Sequence, residues 1–299
     1  MKWLLSGWTV AISILLLTTL RVADPTPLQS LRSQTFDALQ QLDVKKESNE
    51  VVIINIGEKS LQQWGQWAWP RQNIAQLISD LRSKNAGIIG LTIMFPETDR
   101  FGGDAVLSSW MSENGVVLSQ TPSGRGIKST GPHIGTATIG PVSATDYLLT
   151  WPNLVTNIEV LEKSAAGIGV VASAPQPDNQ TRTYPLAIGV EGKIYPNTFE
   201  EHEYITASEL PDLGGKFVIV GVSAEGVANP VPTPRGNVLP QLIQASMLQN
   251  FIDGSNITRN GLSLLTELLC AFLGMLLIGY AMYRTPAWAG LLTTVAIIS

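Results

Sequence analysis

The sequence predicts an α/β fold: a mostly parallel sheet covered by helices, in an exterior domain flanked by transmembrane helices at both ends. Three observations predict it. Largely apolar runs at residues 51–56, 87–94 and 217–222 mark strands buried on both faces. Helical periodicities stand between and after these runs, and strands alternating with helices imply a parallel sheet with cover on both sides. The remaining apolar excess lies in long stretches near the two termini.

Composition narrows the function. The 299 residues are 44% hydrophobic and only 14% charged, against roughly 25% charge in an ordinary soluble domain. A net charge of −5 argues against a nucleic-acid partner, because a phosphate backbone demands a basic face. One cysteine excludes a disulfide framework and a cysteine-built zinc site. Two histidines, His133 and His202, leave little for metal or triad chemistry. No cofactor and no metal are expected.

Residues 3–20 run for 18 positions without a charge, which at about 1.5 Å per residue just spans a bilayer core of about 30 Å. A cleaved signal peptide is the rival. Its best site, Ala23 with Arg21 at −3, lacks the small residue that cleavage wants there. Residues 262–283 form a second span of 22, interrupted only by Glu267. Arg284-Thr285-Pro286 then turns the chain into a third apolar stretch, 287–299, too short to cross; the expectation is a helix continued beyond residue 299. Lys2 and Arg284 place the short ends in the cytoplasm and residues 22–261 outside, against a counter-vote from Arg21 and Arg259. The exterior stretch has no cysteine, which suits an oxidising compartment; Cys270 lies in the second span. The expected plan is thus an anchor over 1–21, an extracytoplasmic domain over 22–261, a span over 262–283, and the start of another over 287–299.

Within the exterior domain, Leu28, Leu31, Thr35, Leu39 and Leu42 recur at helical spacing. Residues 51–56, β-branched except at Asn55, read as a central strand. Residues 70–84 are helical: Ile74, Leu77, Ile78 and Leu81 fall at i, i+3, i+4 and i+7, and Pro70 suits the first turn. Residues 87–94 are a second strand, 104–113 a short helix, 116–119 a short strand and 217–222 a third strong strand. Residues 239–252 form a helix with Leu242, Ile243, Met247 and Phe251 inward and Gly254 as its stop. Residues 121–207 read as short strands and loops, with one hairpin turning at Glu191-Gly192.

Polar loops leave the carboxyl ends of the three best strands, at 57–60, 95–99 and 223–226. Open α/β sheets bind ligands in the crevice outside those ends. The candidate ligand-binding rim is therefore Glu58, Ser60, Arg71, Glu97 and Ser223. Arg71 opens its helix, where backbone N–H groups favour an anion, yet Glu58 or Glu97 would pair with it first. Trp67, Trp69 and Arg71 either pack the helix start or form a recognition surface. Glu267 either snorkels or fixes helix partners as a signalling residue.

These residues resemble the CHASE2 extracellular sensory domain of bacterial transmembrane receptors. The resemblance is carried by Ile54 through Leu61, by Gly65-Gln66-Trp67-Ala68-Trp69-Pro70-Arg71, and by Gly90 through Glu97. It continues through Arg182-Thr183-Tyr184-Pro185-Leu186 and Gly215 through Gly221, and covers about residues 29–254 in the family's order. The resemblance implies one span before the domain, several after it, and a cytoplasmic cyclase or kinase output. It also implies aspartates where this chain has Gly57, Thr92 and Asn229. Their absence points to changed specificity or lost binding.

No catalytic motif is found. Residues 221–226 have one residue too many for a nucleophile elbow, and neither 58–60 nor 214–216 is a phosphate-binding loop. The expectation is a multi-pass membrane sensor module that reads a small molecule or envelope signal and relays it through its helices. Pairing of two copies through those helices stays open, and an envelope scaffold that senses nothing is the alternative.

Overall fold

The computed structural model describes residues 15, 19, 23–42, 46–123, 153–171, 180–181, 183–187, 190–193, 197–254, 266, 269 and 272–274. The chain divides into two compact units, Met1–Phe36 with Thr258–Ser299, and Asp37–Ile257. Helix α1, Thr26–Leu42, begins in the first, where the Arg32 guanidinium holds both carboxylate oxygens of Asp24 at 3.0 Å.

The second unit is built on β1, Lys46–Ile56. Its alternate side chains serve two cores, as the period of a strand requires. Val52, Ile54 and Ile56 join the larger core, under α3 (Arg71–Ser83), α4 (Asp104–Glu113) and α5 (Glu159–Ser164). Val51 and Ile53 face the other way, against Ala245 and Leu242 of α6, Pro240–Ile252. The consecutive apolar residues 51–54 satisfy both faces at once. The short helix α2, Glu58–Trp64, follows β1 directly.

The sheet runs β4-β3-β2-β9-β1-β8, with β5 also on β3. The remaining principal strands are β2 (Ile89–Leu91), β3 (Val116–Ser123), β8 (Asn197–Glu203) and β9 (Phe217–Val222). The smaller ones are β4 (Asn153–Val155) and β5 (Gly167–Val170). All pairings are parallel except β3 with β4. Strand β9 enters between β1 and β2, pairing Val51 with Phe217 on one side and Leu91 with Val220 on the other.

The expected central strands are thus present and mutually parallel, but not equally buried. Only Ile89–Leu91 of the predicted 87–94 run holds ladder geometry, and Ile88 and Met94 are 47% and 36% exposed. The chain diverges once both the N–H and the Oγ1 of Thr92 bond to Val220 O. In β9, Phe217, Ile219 and Val222 are half-buried.

Helix α3 follows its periodicity: Ile74, Leu77, Ile78 and Leu81 are fully buried, each contributing about 1.5–3 kcal/mol. Helix α6 follows its pattern only in part: Ile243 is buried and Leu242 packs the second core, but Met247 is half-buried and Phe251 is 70% exposed, while the polar Gln241, Ser246, Gln249 and Asn250 share the inner face. The Ser48 hydroxyl of β1 donates to Gln249 Oε1, so the helix docks partly through hydrogen bonds that apolar periodicity does not register.

Two hairpins complete the unit. Strands β6 (Thr183–Ala187) and β7 (Val190–Lys193) pair Ala187 with Val190, so the chain reverses before Val190 and not at Glu191-Gly192. Strands β10 (Val231–Thr233) and β11 (Gly236–Val238) form the second.

Among the described residues no helix is long and apolar enough to cross a membrane. The spans expected at 3–20 and 262–283 fall almost wholly outside those residues, and 287–299 entirely so.

Candidate functional site

Strands β1 and β2 lead into helices over the larger core, whereas β9, lying between them, leads into α6 on the opposite face. Connections that part in this way leave a crevice at the carboxyl edge of the sheet. The structure has a cleft of about 540 Å³ there, within the usual range of about 300–1,000 Å³ for small-molecule sites. Its floor is the continuation of β2 through Thr92 and Met94, with Ser119 and Thr121 of β3 and Val222 of β9. Trp67 stands on one wall and Gln241, at the start of α6, on another.

The predicted rim separates into two groups, and only Arg71 touches this cleft. Glu58, Ser60 and Ser223 gather round Gly57 at the end of β1. The Glu58 carboxylate accepts the Glu225 N–H at 2.9 Å, tying the loop after β9 to α2. Ser60 is fully buried, its Oγ accepting the Gly57 N–H at 3.1 Å. Glu203 completes the group: its Oε1 accepts the N–H groups of Lys59 and Ser60 at 2.7 and 3.2 Å, capping the first turn of α2. Glu203 is not among the rim residues that the sequence pattern selects. The one local signal is Gly57 itself, a glycine just past a strand, where another group can approach closely.

Arg71 and Glu97 meet at the start of α3, but not as an ion pair. The exposed Glu97 offers Arg71 its backbone carbonyl, 3.0 Å from Nη2. The carboxylate beside the guanidinium belongs to Asp104, with Nε to Oδ1 at 3.4 Å and side-chain exposures of only 12% and 17%. The Phe95 ring lies under the guanidinium, 4.4 Å from its carbon to the ring centre. The helix start that would attract an anion already has one. Asp99 Oδ2 accepts the Arg71 N–H at 3.3 Å and the Gly103 N–H at 2.9 Å. Burial pushes the Asp99 carboxyl up, but the backbone donors of Gly103, Arg71 and Phe101 and the Arg71 charge outweigh it. The net shift is below the usual carboxylate value. Glu267 lies outside the described residues.

The tryptophans of the specific block pack the helix start. Trp69 is buried and its indole donates to Gly65 O at 2.8 Å. Trp64 stacks on Tyr204 at 5.7 Å, and Tyr204 donates to the buried Asp80 at 2.8 Å. Burial, then the Asp80 carboxylate, push the Tyr204 hydroxyl well above its ordinary range. Trp67, half-buried against Trp69 at 5.7 Å, lines the cleft together with Trp69. His202 contacts Glu200 at 2.9 Å along β8; among the described residues no histidine, cysteine and carboxylate group has metal-binding geometry.

No curated protein and no solved structure matches the chain. A family model does: the CHASE2 domain matches residues 9–281, most of the chain, a span that includes β1, the start of α3 and β9. The protein therefore belongs to the CHASE2 family of sensory domains.

Proposed function

We propose that this chain is a membrane-anchored, extracytoplasmic sensor module that relays occupancy of its cleft through transmembrane helices to a cytoplasmic output domain. The observation that carries the reading is the cleft at the carboxyl edge of β2, β3 and β9, set at the switch point of the sheet. Thr92 and Asn229, two of the positions where the family resemblance implies aspartate, both line it. Their neutral side chains support a changed specificity. Anchoring is supported by the two apolar stretches of the sequence. At their described positions the residues are helical, and Leu15, Leu269, Phe272 and Leu273 expose large apolar side chains. Ligand binding relays a signal only if its affinity differs between two arrangements of those helices.

Alkaline-phosphatase fusions after Thr150 and after Arg284 test the topology on which the relay depends. An active enzyme after Thr150 and a silent one after Arg284 are expected. The reverse pattern overturns the reading.

A further inference from the structure

The chemistry of the cleft narrows what it can bind. Among the described residues three hydroxyls line it, and each donates to a backbone carbonyl: Thr92 to Val220 O at 2.8 Å, Ser119 to Ile93 O at 3.2 Å, and Thr121 to Val171 O at 2.9 Å. A carbonyl oxygen has no proton to give, so all three hydroxyl protons are committed, and what remains on each oxygen is lone pairs. The amide nitrogen of Gln241 is likewise engaged by Asn55 Oδ1 at 2.9 Å. The three floor hydroxyls therefore act as acceptors, while the exposed Asn229 amide elsewhere in the lining can both donate and accept.

Charge is also spent. Among the described residues the only ionisable side chain in the lining is Arg71. Its guanidinium is held by Glu97 O, Asp104 and the Phe95 ring and is almost fully covered. An anionic ligand would have to compete with Asp104 for Arg71, and among the described residues no carboxylate lines the cleft to receive a cationic one. Burying either charge without a partner is costly. The accessible walls are soft and apolar: the half-buried Trp67 and the exposed Met94, side chains that favour flat aromatic partners.

We infer that the cleft takes an uncharged, largely apolar or aromatic small molecule that presents O–H or N–H donors to Thr92, Ser119 and Thr121. The inference rests on the cleft being the sensing site proposed above. It is tested by titrating the full chain in detergent, blanked against empty micelles, with four probes of one ring size: 4-methylphenol, 4-methylanisole, 4-methylbenzoate and 4-methylbenzylammonium. The expected order is 4-methylphenol ahead of the other three, with methylation of its hydroxyl weakening binding about tenfold, the factor expected when one buried acceptor loses its donor. Trp67→Ala should abolish binding of 4-methylphenol, and Thr92→Val should bring the phenol and its ether closer together. Where a variant fails to fold, the wild-type order alone decides. Equal affinity for the phenol and its ether, or a preference for either charged probe, overturns the ligand class and leaves the sensor module standing. Binding of none of the four overturns the inference by removing the cleft as the ligand site, while the phosphatase fusions test membrane topology independently.

Discussion

A β-carbon placed on Gly57 would lie 2.5 Å from Oε1 of Glu203. The strand end of β1 and the strand end of β8 thus meet through a carboxylate that needs the missing side chain's space. Gly57 has φ of −107°, which any residue adopts, so the requirement is room and not backbone freedom. Displaced by a methyl group, Glu203 would give up its hold on Lys59 and Ser60, and loss of such a cap costs about 1 kcal/mol. Gly57→Ala should therefore lower stability by about that much in chemical denaturation. In a Glu203→Ala background the same change should cost almost nothing, because the two substitutions remove one interaction. Additive losses would show that the carboxylate and the glycine are independent.

Arg71 fastens the start of α3 to the segment after β2. Its removal leaves Asp104 largely buried without its cation and Phe95 without its cover. Removing one partner of a buried pair costs about 3–5 kcal/mol, and the residual exposure here places Arg71→Ala near the lower end, about 3 kcal/mol. Arg71→Lys should recover only part of this, since an ammonium cannot serve Asp104, Glu97 O and the ring with one planar fork. An unchanged denaturation midpoint for Arg71→Ala would refute a structural role.

Tyr204 should resist ionisation. Its hydroxyl is raised above the ordinary tyrosine value of 10.0 by burial and by Asp80. A raised folded value means that the pair's contribution is complete below pH 10 and declines as pH rises beyond it, when the unfolded chain ionises and the folded one does not. In a spectrophotometric titration one of the six tyrosines should remain protonated past that point until the domain unfolds. Tyr204→Phe should abolish the late step and cost about 1–3 kcal/mol by stripping the buried Asp80 of a donor. A full set of tyrosines ionising together in the folded protein would contradict this.

Asp99 acts at the opposite end of the pH range. Its folded value lies below the usual 3.8, so its contribution is present above that value and is lost as pH falls through the lowered one. Asp99→Asn should flatten the acid limb of the stability curve while leaving its alkaline side unaltered. Acid-induced unfolding followed by circular dichroism reads this, and an unchanged acid midpoint would count against the cap.

The strands and helices whose burial repeats locally along the chain are legible in the sequence alone. The apolar run at 51–56, interrupted only at Asn55, demanded two cores and has them in the alternation of Val51 and Ile53 against Val52, Ile54 and Ile56. The i, i+3, i+4, i+7 spacing of α3 named its buried face correctly, and the block Gly65 through Arg71 identified the family that the CHASE2 match shows. Periodicity carries this information because burial is imposed on one element at a time. What each polar side chain touches was decided elsewhere. Strand β9 lies between β1 and β2 although about 160 residues follow β1 before it begins, a separation over which periodicity carries no record. That insertion separates the Glu58 group from the Arg71 group and opens the cleft between the ends of β2, β3 and α6. Asp104 in place of Glu97 beside Arg71, Glu203 beside Gly57, and the polar residues on the inner face of α6 all follow from which segments the tertiary fold sets side by side. Apolar burial repeats along a chain and can be read from it, whereas a hydrogen bond or ion pair has a single partner whose place is a property of the assembled sheet.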